Sequence, residues 1–149
     1  MGSRFLVDSN VLVYAYDRSE MEKQGIALNV LDRLVSAGAG VLSSQVLAEF
    51  FVVSTLKLAK PLSISDGHER VKSYLRIWPV VNVTGMVVLE AVRGVREFKF
   101  SYWDAQIWAT ARMNQVPFVL SEDFNEGSEV EGVRFINPFS ESFDIGILG

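Results

Sequence analysis

The segment Phe5-Leu6-Val7-Asp8-Ser9-Asn10-Val11-Leu12 is an apolar run that ends on a carboxylate, followed by two small polar residues and a second apolar run. Residues 4–8 have the character of a short buried strand. In an open α/β sheet, ligands bind just outside the carboxyl ends of the strands. The segment therefore predicts that Asp8 is delivered to that edge by the first strand, where it is well placed to hold a metal ion.

The rest of the chain alternates between helical and strand patterns. Apolar spacing and capping residues predict helices over residues 21–37, 45–57, 65–78, 86–98 and 101–114. Short apolar runs predict strands over residues 41–43, 79–83, 116–121 and 133–138, and residues 11–16 are compatible with a helix or a loop-to-helix junction. Alternation of this kind predicts an α/β fold with a mostly parallel sheet covered on both faces.

Several apolar side chains are assigned to the core by their spacing. Val71, Leu75 and Trp78 share one face of the fourth helix, and Val88, Val92 and Val95 are the apolar positions of the fifth. In the last helix we expect the set Trp103, Ile107, Trp108 and Ala111 to pack inward. The run Phe50–Val53, with Leu56 and Leu58, is richer than one inward face needs; a partner interface and a helix buried on both sides remain open.

Composition limits the kinds of site available. A chain of 149 residues fits a single domain, here residues 1–149, and 49% apolar with 21% charged residues is ordinary for a globular protein. Cysteine is absent and His68 is the only histidine, which excludes a thiolate zinc site and a His-rich one. Any metal must be held by oxygen atoms, and this favours Mg²⁺ or Mn²⁺.

Charge and hydropathy give two further expectations. No segment has the roughly 18 consecutive apolar residues of a spanning helix, and no signal-peptide pattern is present, so no membrane association and a cytoplasmic location are expected. A net charge of −4 argues against a nucleic-acid binder with a globally basic surface. It leaves room for a site where metal ions and a local basic strip meet phosphates.

Three more acidic residues occur in settings similar to that of Asp8. Glu49 is flanked by apolar residues near the start of a helix, Asp104 lies in the first turn of the last helix, and Asp123 follows the strand over 116–121, with Glu122 beside it. Each has an ordinary alternative, namely a turn residue, an exposed helical acid, a helix cap or a loop acid. Together they predict one divalent-metal site, because metal-assisted phosphodiester hydrolysis needs several carboxylates.

These motifs carry a family resemblance that covers nearly the whole chain. The matching segments are Phe5-Leu6-Val7-Asp8-Ser9-Asn10-Val11, Glu49 in a helix, Tyr102-Trp103-Asp104-Ala105 and Leu120-Ser121-Glu122-Asp123-Phe124-Asn125. They resemble the PIN-domain ribonucleases. The run Ser121 to Gly127 and the later Ile136-Asn137-Pro138-Phe139 look like the VapC toxins of prokaryotic toxin–antitoxin pairs.

The resemblance implies a three-layer α/β/α sandwich and a Mg²⁺- or Mn²⁺-dependent endoribonuclease. It further implies inhibition by a cognate antitoxin protein and a homodimer. Asp8, Glu49, Asp104 and Asp123 match the family's acidic quartet, as catalytic residues and metal ligands. Asn10 and Ser121 match the polar positions beside these acids, and Glu122 competes with Asp123 for the fourth place.

An RNA substrate must also be held by its phosphates. Arg93, Arg96 and Lys99 precede the helix of Asp104 and are candidates, although a solvated helix face explains them equally well. Two rival functions stay open. One is a phosphotransferase with Asp8 as nucleophile, against which Asn10 stands where that chemistry wants a second Asp. The other is a non-catalytic binding module of the same fold.

Overall fold

The computed structural model describes residues 2–149. The strands are β1 (Phe5–Val7), β2 (Gly40–Ser43), β3 (Val80–Val81), β4 (Phe118–Leu120), β5 (Glu129–Val130) and β6 (Val133–Ile136). The helices are α1 (Ser9–Tyr14), α2 (Met21–Ala37), α3 (Ser44–Leu56), α4 (Ile64–Ile77), α5 (Gly85–Phe98) and α6 (Tyr102–Met113), and a short 3-10 helix covers Ile145–Leu148. None of the helices within residues 2–149 combines the length and apolar character needed to cross a bilayer.

One six-stranded sheet, with the order β3-β2-β1-β4-β6-β5, organises the chain. All neighbouring strands are parallel except β5, which pairs antiparallel with β6. The central strands β1 and β2 are buried at every position. Because a strand buried on both faces needs cover on both sides, the mostly parallel sheet carries helices on each face, and the predicted α/β/α sandwich is confirmed.

Hydroxyl side chains cap the starts of four helices. The side chain of the residue before each helix accepts a hydrogen bond from a backbone N–H of the first turn in α3, α4, α5 and α6. These caps are Ser43, Ser63, Thr84 and Ser101. Side-chain caps of this kind satisfy N–H groups that have no partner inside the helix. The caps therefore fix where α3 and α6 begin, and with them the positions of Glu49 and Asp104.

The buried face of α5 differs from the expected one. Val87, Ala91 and Gly94 point inward, while the predicted apolar positions Val88, Val92 and Val95 are exposed. The reason is close packing of α5 on α6, because a Cβ atom added to Gly94 would lie 2.9 Å from Cζ3 of Trp108. Small residues are selected at this contact rather than large apolar ones. Trp78, directly after α4, is buried as predicted, but Leu75 within α4 is exposed.

Candidate active site

Four acidic residues, Asp8, Glu49, Asp104 and Asp123, come together at the carboxyl edge of the sheet, and we call them the acid cluster. Asp8 follows β1 and Asp123 follows the adjacent strand β4. Pairing between the two strands continues past their ends, since the backbone N–H of Asp8 donates to the carbonyl of Leu120 (2.9 Å). Glu49 and Asp104 reach the same edge from the second turn of α3 and the first turn of α6.

Asp8 is the buried member of the cluster, with 4% of its surface exposed. Its Oδ1 accepts a hydrogen bond from the backbone N–H of Ser9 (2.7 Å), and its Oδ2 accepts one from the hydroxyl of Ser121 (2.7 Å). Burial raises the pKa of Asp8 to about 7, and the negative charges of Glu49 and Asp123 act in the same direction. The two hydrogen bonds favour the carboxylate but do not offset its loss of hydration.

Asn10 and Ser121 connect Asp8 with Asp123. The side-chain amide of Asn10 donates to the hydroxyl of Ser121 and to Oδ2 of Asp123, both at 3.1 Å. The same hydroxyl accepts a hydrogen bond from the backbone N–H of Asp123 (3.1 Å) while it donates to Asp8. One hydroxyl and one amide thus orient two carboxylates whose sequence positions are far apart.

Glu49 and Asp104 are half-buried, and the charges of other acids in the cluster contribute to their pKa values. Burial raises the pKa of Glu49, and the charges of Asp104 and Asp123 raise it further. Burial also raises the pKa of Asp104, to which the charge of Asp123 contributes. Since neighbouring negative charges disfavour ionisation, the four carboxylates form one electrostatic unit of mutual repulsion.

Glu122 lies on the other side of the loop from the acid cluster. It accepts hydrogen bonds from the hydroxyl of Tyr14 (2.6 Å) and from Nζ of Lys23 (3.0 Å). The Lys23 amine also lies 4.8 Å from the centre of the Tyr14 ring. Of the two adjacent acids between which the sequence left a choice, the structure therefore directs Asp123, and not Glu122, towards Asn10.

The donor chemistry of the acid cluster fits a hard divalent cation. Its groups are oxygen ligands, and the buried, uncompensated carboxylate of Asp8 is a group that a cation would relieve. The side chains as oriented do not yet form a ligand shell: within residues 2–149, no group of three or more acidic or histidine side chains is arranged to hold an ion. Convergence of all four acids on one metal therefore stays a prediction.

The predicted basic strip is split by the structure. Arg96 is exposed and close to Glu97 (3.3 Å), and Lys99 is exposed at the end of α5 in a left-handed conformation (φ 64°). Arg93 instead pairs with Glu90 and Glu97, each at 2.8 Å. Arg93 also pairs with Glu131, which precedes β6 and therefore lies towards the amino edge of the sheet.

Arg112 of α6 completes this arrangement by pairing with Glu90 (2.6 Å) and Glu131 (3.2 Å). We call Arg93, Arg112, Glu90, Glu97 and Glu131 the ion-pair network. The Arg93 guanidinium also lies 5.5 Å from the centre of the Trp108 ring. The structure thus gives Arg93 three acidic partners and does not bring it to the acid cluster.

A groove beside Glu49 was not anticipated from the sequence. It has a volume of about 550 Å³ and runs between α3 and the start of α6. Trp103, predicted to be core, is 61% exposed and lines this groove. The helical spacing that suggested burial does not apply here, because Trp103 lies in the first turn of α6, at the end that carries Asp104 to the edge of the sheet.

A second cleft of about 310 Å³ is lined by Asn10, Tyr14 and Asp123 among others. Ser9 and Val53 border both openings. Solvent and ligands can therefore approach the acid cluster from two sides, past Glu49 and past Asp123.

Comparisons with known proteins identify the family and the fold of the chain. The PIN domain model matches residues 5–125. Among solved structures, a toxin–antitoxin complex from Klebsiella pneumoniae is similar to this chain, with a TM-score of 0.62 and 17% identity. The similarity covers 90% of this chain and 97% of the other. FitAB bound to an IR36 DNA fragment gives a TM-score of 0.68 and 19% identity, over 91% of this chain and 96% of that one.

The Mycobacterium tuberculosis toxin VapC20, described as cleaving the sarcin-ricin loop, matches 77% of this chain and 86% of its own with a TM-score of 0.59 and 14% identity. Identities this low show a shared fold. No curated protein matches the sequence significantly. The family model covers most of the chain and includes all four members of the acid cluster, and on this basis the protein belongs to the PIN domain family.

Proposed function

We propose that this protein is a Mg²⁺- or Mn²⁺-dependent endoribonuclease and the toxin of a VapC-type toxin–antitoxin pair. The observation that carries the proposal is the acid cluster. Asp8 is buried and oriented by Ser121, and its pKa is raised by burial and, to a smaller extent, by the charges of Glu49 and Asp123. Holding such charges together in a buried site costs free energy unless a metal ion binds among them.

In this proposal Asp8 and Asp104 are the principal ligands, and Glu49 and Asp123 bind the ion directly or through water. When bound, the ion would polarise the scissile phosphate and lower the pKa of an attacking water. Asn10 and Ser121 hold Asp8 and Asp123 in fixed orientations, so less side-chain freedom is lost when ligands form.

RNA as substrate rests on the family and on the likeness to VapC20, a toxin that cleaves the sarcin-ricin loop. Arg96 and Lys99 are the proposed phosphate contacts, since both are exposed near the end of α5. Arg93 is the weakest member of the strip because three carboxylates already engage it. The cytoplasm is the proposed place of action, where cellular RNA is available.

An antitoxin protein is the proposed partner, since several similar structures are complexes of toxins with antitoxins.

A homodimer is also proposed, and α5 offers a candidate surface for it. On this helix Met86, Leu89 and Val92 are 62%, 63% and 51% exposed. Neighbouring exposed apolar side chains of this kind mark a candidate protein interface. Light scattering of purified protein tests the dimer, with Leu89→Lys expected to shift it to monomer.

The nuclease proposal is tested with a quenched fluorescent RNA incubated with Mn²⁺ or with EDTA. We expect cleavage with Mn²⁺ and none with EDTA, and a return of activity when Mn²⁺ is added back in excess. Failure to cleave any RNA from a randomised pool with Mn²⁺ present would support the rival reading, a non-catalytic module of the same fold.

A further inference from the structure

The groove beside Glu49 has the features of a small-ligand pocket rather than a surface irregularity. Its volume of about 550 Å³ lies within the range typical of ligand pockets, roughly 300–1,000 Å³. Val52, Val53 and Val83 supply apolar wall, and Gln45 and Gln106 supply polar groups. Pockets that combine an apolar lining with a few placed polar groups bind flat, partly polar molecules.

Trp103 gives this groove a solvent-exposed aromatic wall. Of the three tryptophans, Trp78 and Trp108 are buried at 7% and 0% exposure, and Trp103 is exposed. Tyr102 supports its indole edge to face, with ring centres 5.0 Å apart and an angle of 83° between the planes. Tyr102 thereby braces the indole, and an exposure of 61% leaves the ring accessible to a planar ligand.

A chain of buried side chains fixes this wall relative to the acid cluster. The hydroxyl of Tyr102 donates to Gln106 (2.8 Å), the amide of Gln106 donates to Oε1 of Gln45 (2.9 Å), and the amide of Gln45 donates to the carbonyl of Trp103 (3.2 Å). Gln45 lies one helical turn before Glu49 on α3. The backbone of Trp103 is thus tied to the helix that carries Glu49.

Charge along α3 indicates what kind of ligand would extend through the groove. Gln45, Glu49, Val53 and Lys57 recur every four residues, so they share one face of the helix, and all four line the groove. Lys57 lies about 12 Å from Glu49 along the helix axis, from eight residues at about 1.5 Å each. Trp103 lies at the Gln45 end of this face, since Gln45 donates to its carbonyl, and Lys57 lies at the opposite end beyond Glu49. An aromatic ring, a proposed metal ligand and an ammonium group in one groove match the bases and phosphates of a nucleotide chain.

We propose that this groove holds an unstacked nucleobase of single-stranded RNA, with Trp103 as its stacking platform and Lys57 as a contact to a neighbouring phosphate. The proposal deepens the nuclease function and rests on it for the identity of the substrate. Aromatic stacking accepts any base, because every base has a π-face. The pocket therefore selects RNA that is locally single-stranded rather than one particular sequence.

Trp103 also provides the experiment, since it is the exposed tryptophan of the three and reports on its own surroundings. We titrate the protein in EDTA, where no cleavage is expected, with a short single-stranded RNA and with an abasic strand of the same length. The RNA should quench the exposed tryptophan fluorescence in a saturable way, and the abasic strand should not. Equal quenching by both strands would overturn the proposal, because phosphates alone would then explain it.

Affinity measured by anisotropy of a labelled RNA completes the test. Trp103→Ala should weaken binding about 5- to 150-fold, the range expected for loss of one stacked base, and Trp103→Phe should retain most of the affinity. Ile77→Ala, comparably exposed but at the end of α4, is the matched control and should bind like the unmodified protein. Unchanged affinity of Trp103→Ala would overturn the proposal and assign the groove to a protein partner.

The two proposals can fail separately. Cleavage with Mn²⁺ but no base-dependent quenching would leave a nuclease without this pocket. Base-dependent quenching without cleavage would retain the base pocket and reject the nuclease.

Discussion

The two edges of the sheet carry charged clusters of opposite design. At the carboxyl edge, the acid cluster gathers four carboxylates and the pKa of Asp8, Glu49 and Asp104 is raised. Towards the amino edge, the ion-pair network intersperses three carboxylates with two guanidinium groups, and the pKa of Glu90 and of Glu131 is lowered. Two guanidinium groups offset most of the negative charge of the network, whereas in the acid cluster the proposed function assigns this role to a metal ion.

The largest effect on activity is expected from removing the buried carboxylate of Asp8. Asp8→Asn keeps the size of the side chain but removes its charge, so we expect RNA cleavage to fall by at least about 1,000-fold, as for loss of a principal electrostatic group in an active site. Cleavage of a fluorescent RNA and circular dichroism measure activity and fold together. Full activity in a folded Asp8→Asn protein would refute the assignment of Asp8.

The two edges should also respond to pH in opposite ways. Because the pKa of Asp8 rises from 3.8 to about 7 on folding, the folded chain holds a proton between these values that the unfolded chain has lost. The free energy of unfolding should therefore decrease as the pH rises through this window, by up to about 4 kcal/mol without metal, at about 1.4 kcal/mol per pKa unit. Urea unfolding at a series of pH values measures it.

Asp8→Asn should flatten that decline, and Mn²⁺ should oppose it by binding the ionised form. Glu90 and Glu131 have lowered pKa values, so their contribution is present at neutral pH and is lost as the pH falls below the ordinary glutamate value. A stability profile that rises from pH 4 to pH 7 without metal would contradict the strained state of the acid cluster.

A smaller effect separates two adjacent acids. Asp123→Asn should reduce cleavage about 10- to 100-fold, the range seen when groups that orient or complete a metal site are altered. Glu122→Gln should leave cleavage nearly unchanged and cost less than about 1 kcal/mol of stability, because its salt bridge with Lys23 is partly exposed. If Glu122→Gln were the more damaging change in the RNA assay, the roles of the two acids would have to be exchanged.

The smallest effect on activity is expected in the ion-pair network. Arg93→Ala removes the shared partner of three carboxylates and the contact with Trp108, so the urea midpoint should fall. Cleavage of RNA, and the dependence of RNA affinity on salt, should not change. A flatter salt dependence in this variant would restore Arg93 as a phosphate contact.

Much of the fold was accessible from the sequence where local signals were strong. The bounds of α2, Met21–Ala37, agree with those predicted, since Gly38 ends the helix in a left-handed conformation (φ 62°). The strand β5 was missed because two residues in a hairpin leave no periodic pattern. The inward face of α5 was wrong because close packing on Trp108 favours small residues, which hydropathy does not reveal.

The positions of the four acids at one edge of the sheet were predictable from the sequence, but their hydrogen-bond partners were not. Strand ends and helix starts can be found locally, and parallel topology brings them to one edge. The hydrogen bonds of Glu122 with Tyr14 and Lys23, and of Gln45 with Gln106, join positions far apart in sequence. No local signal encodes such pairs. The exposure of Trp103 likewise depends on where α6 begins relative to the sheet.

The contact between Gly94 and Trp108 has an evolutionary consequence. Any residue larger than glycine at position 94 meets the indole at 2.9 Å, and a smaller residue at 108 would leave a void beneath α5. In descendants of this sequence the two positions must therefore change together or be kept together. Joint retention of this glycine and this tryptophan would mark the lineages that inherit the same docking of α5 on α6, even after overall identity has decayed.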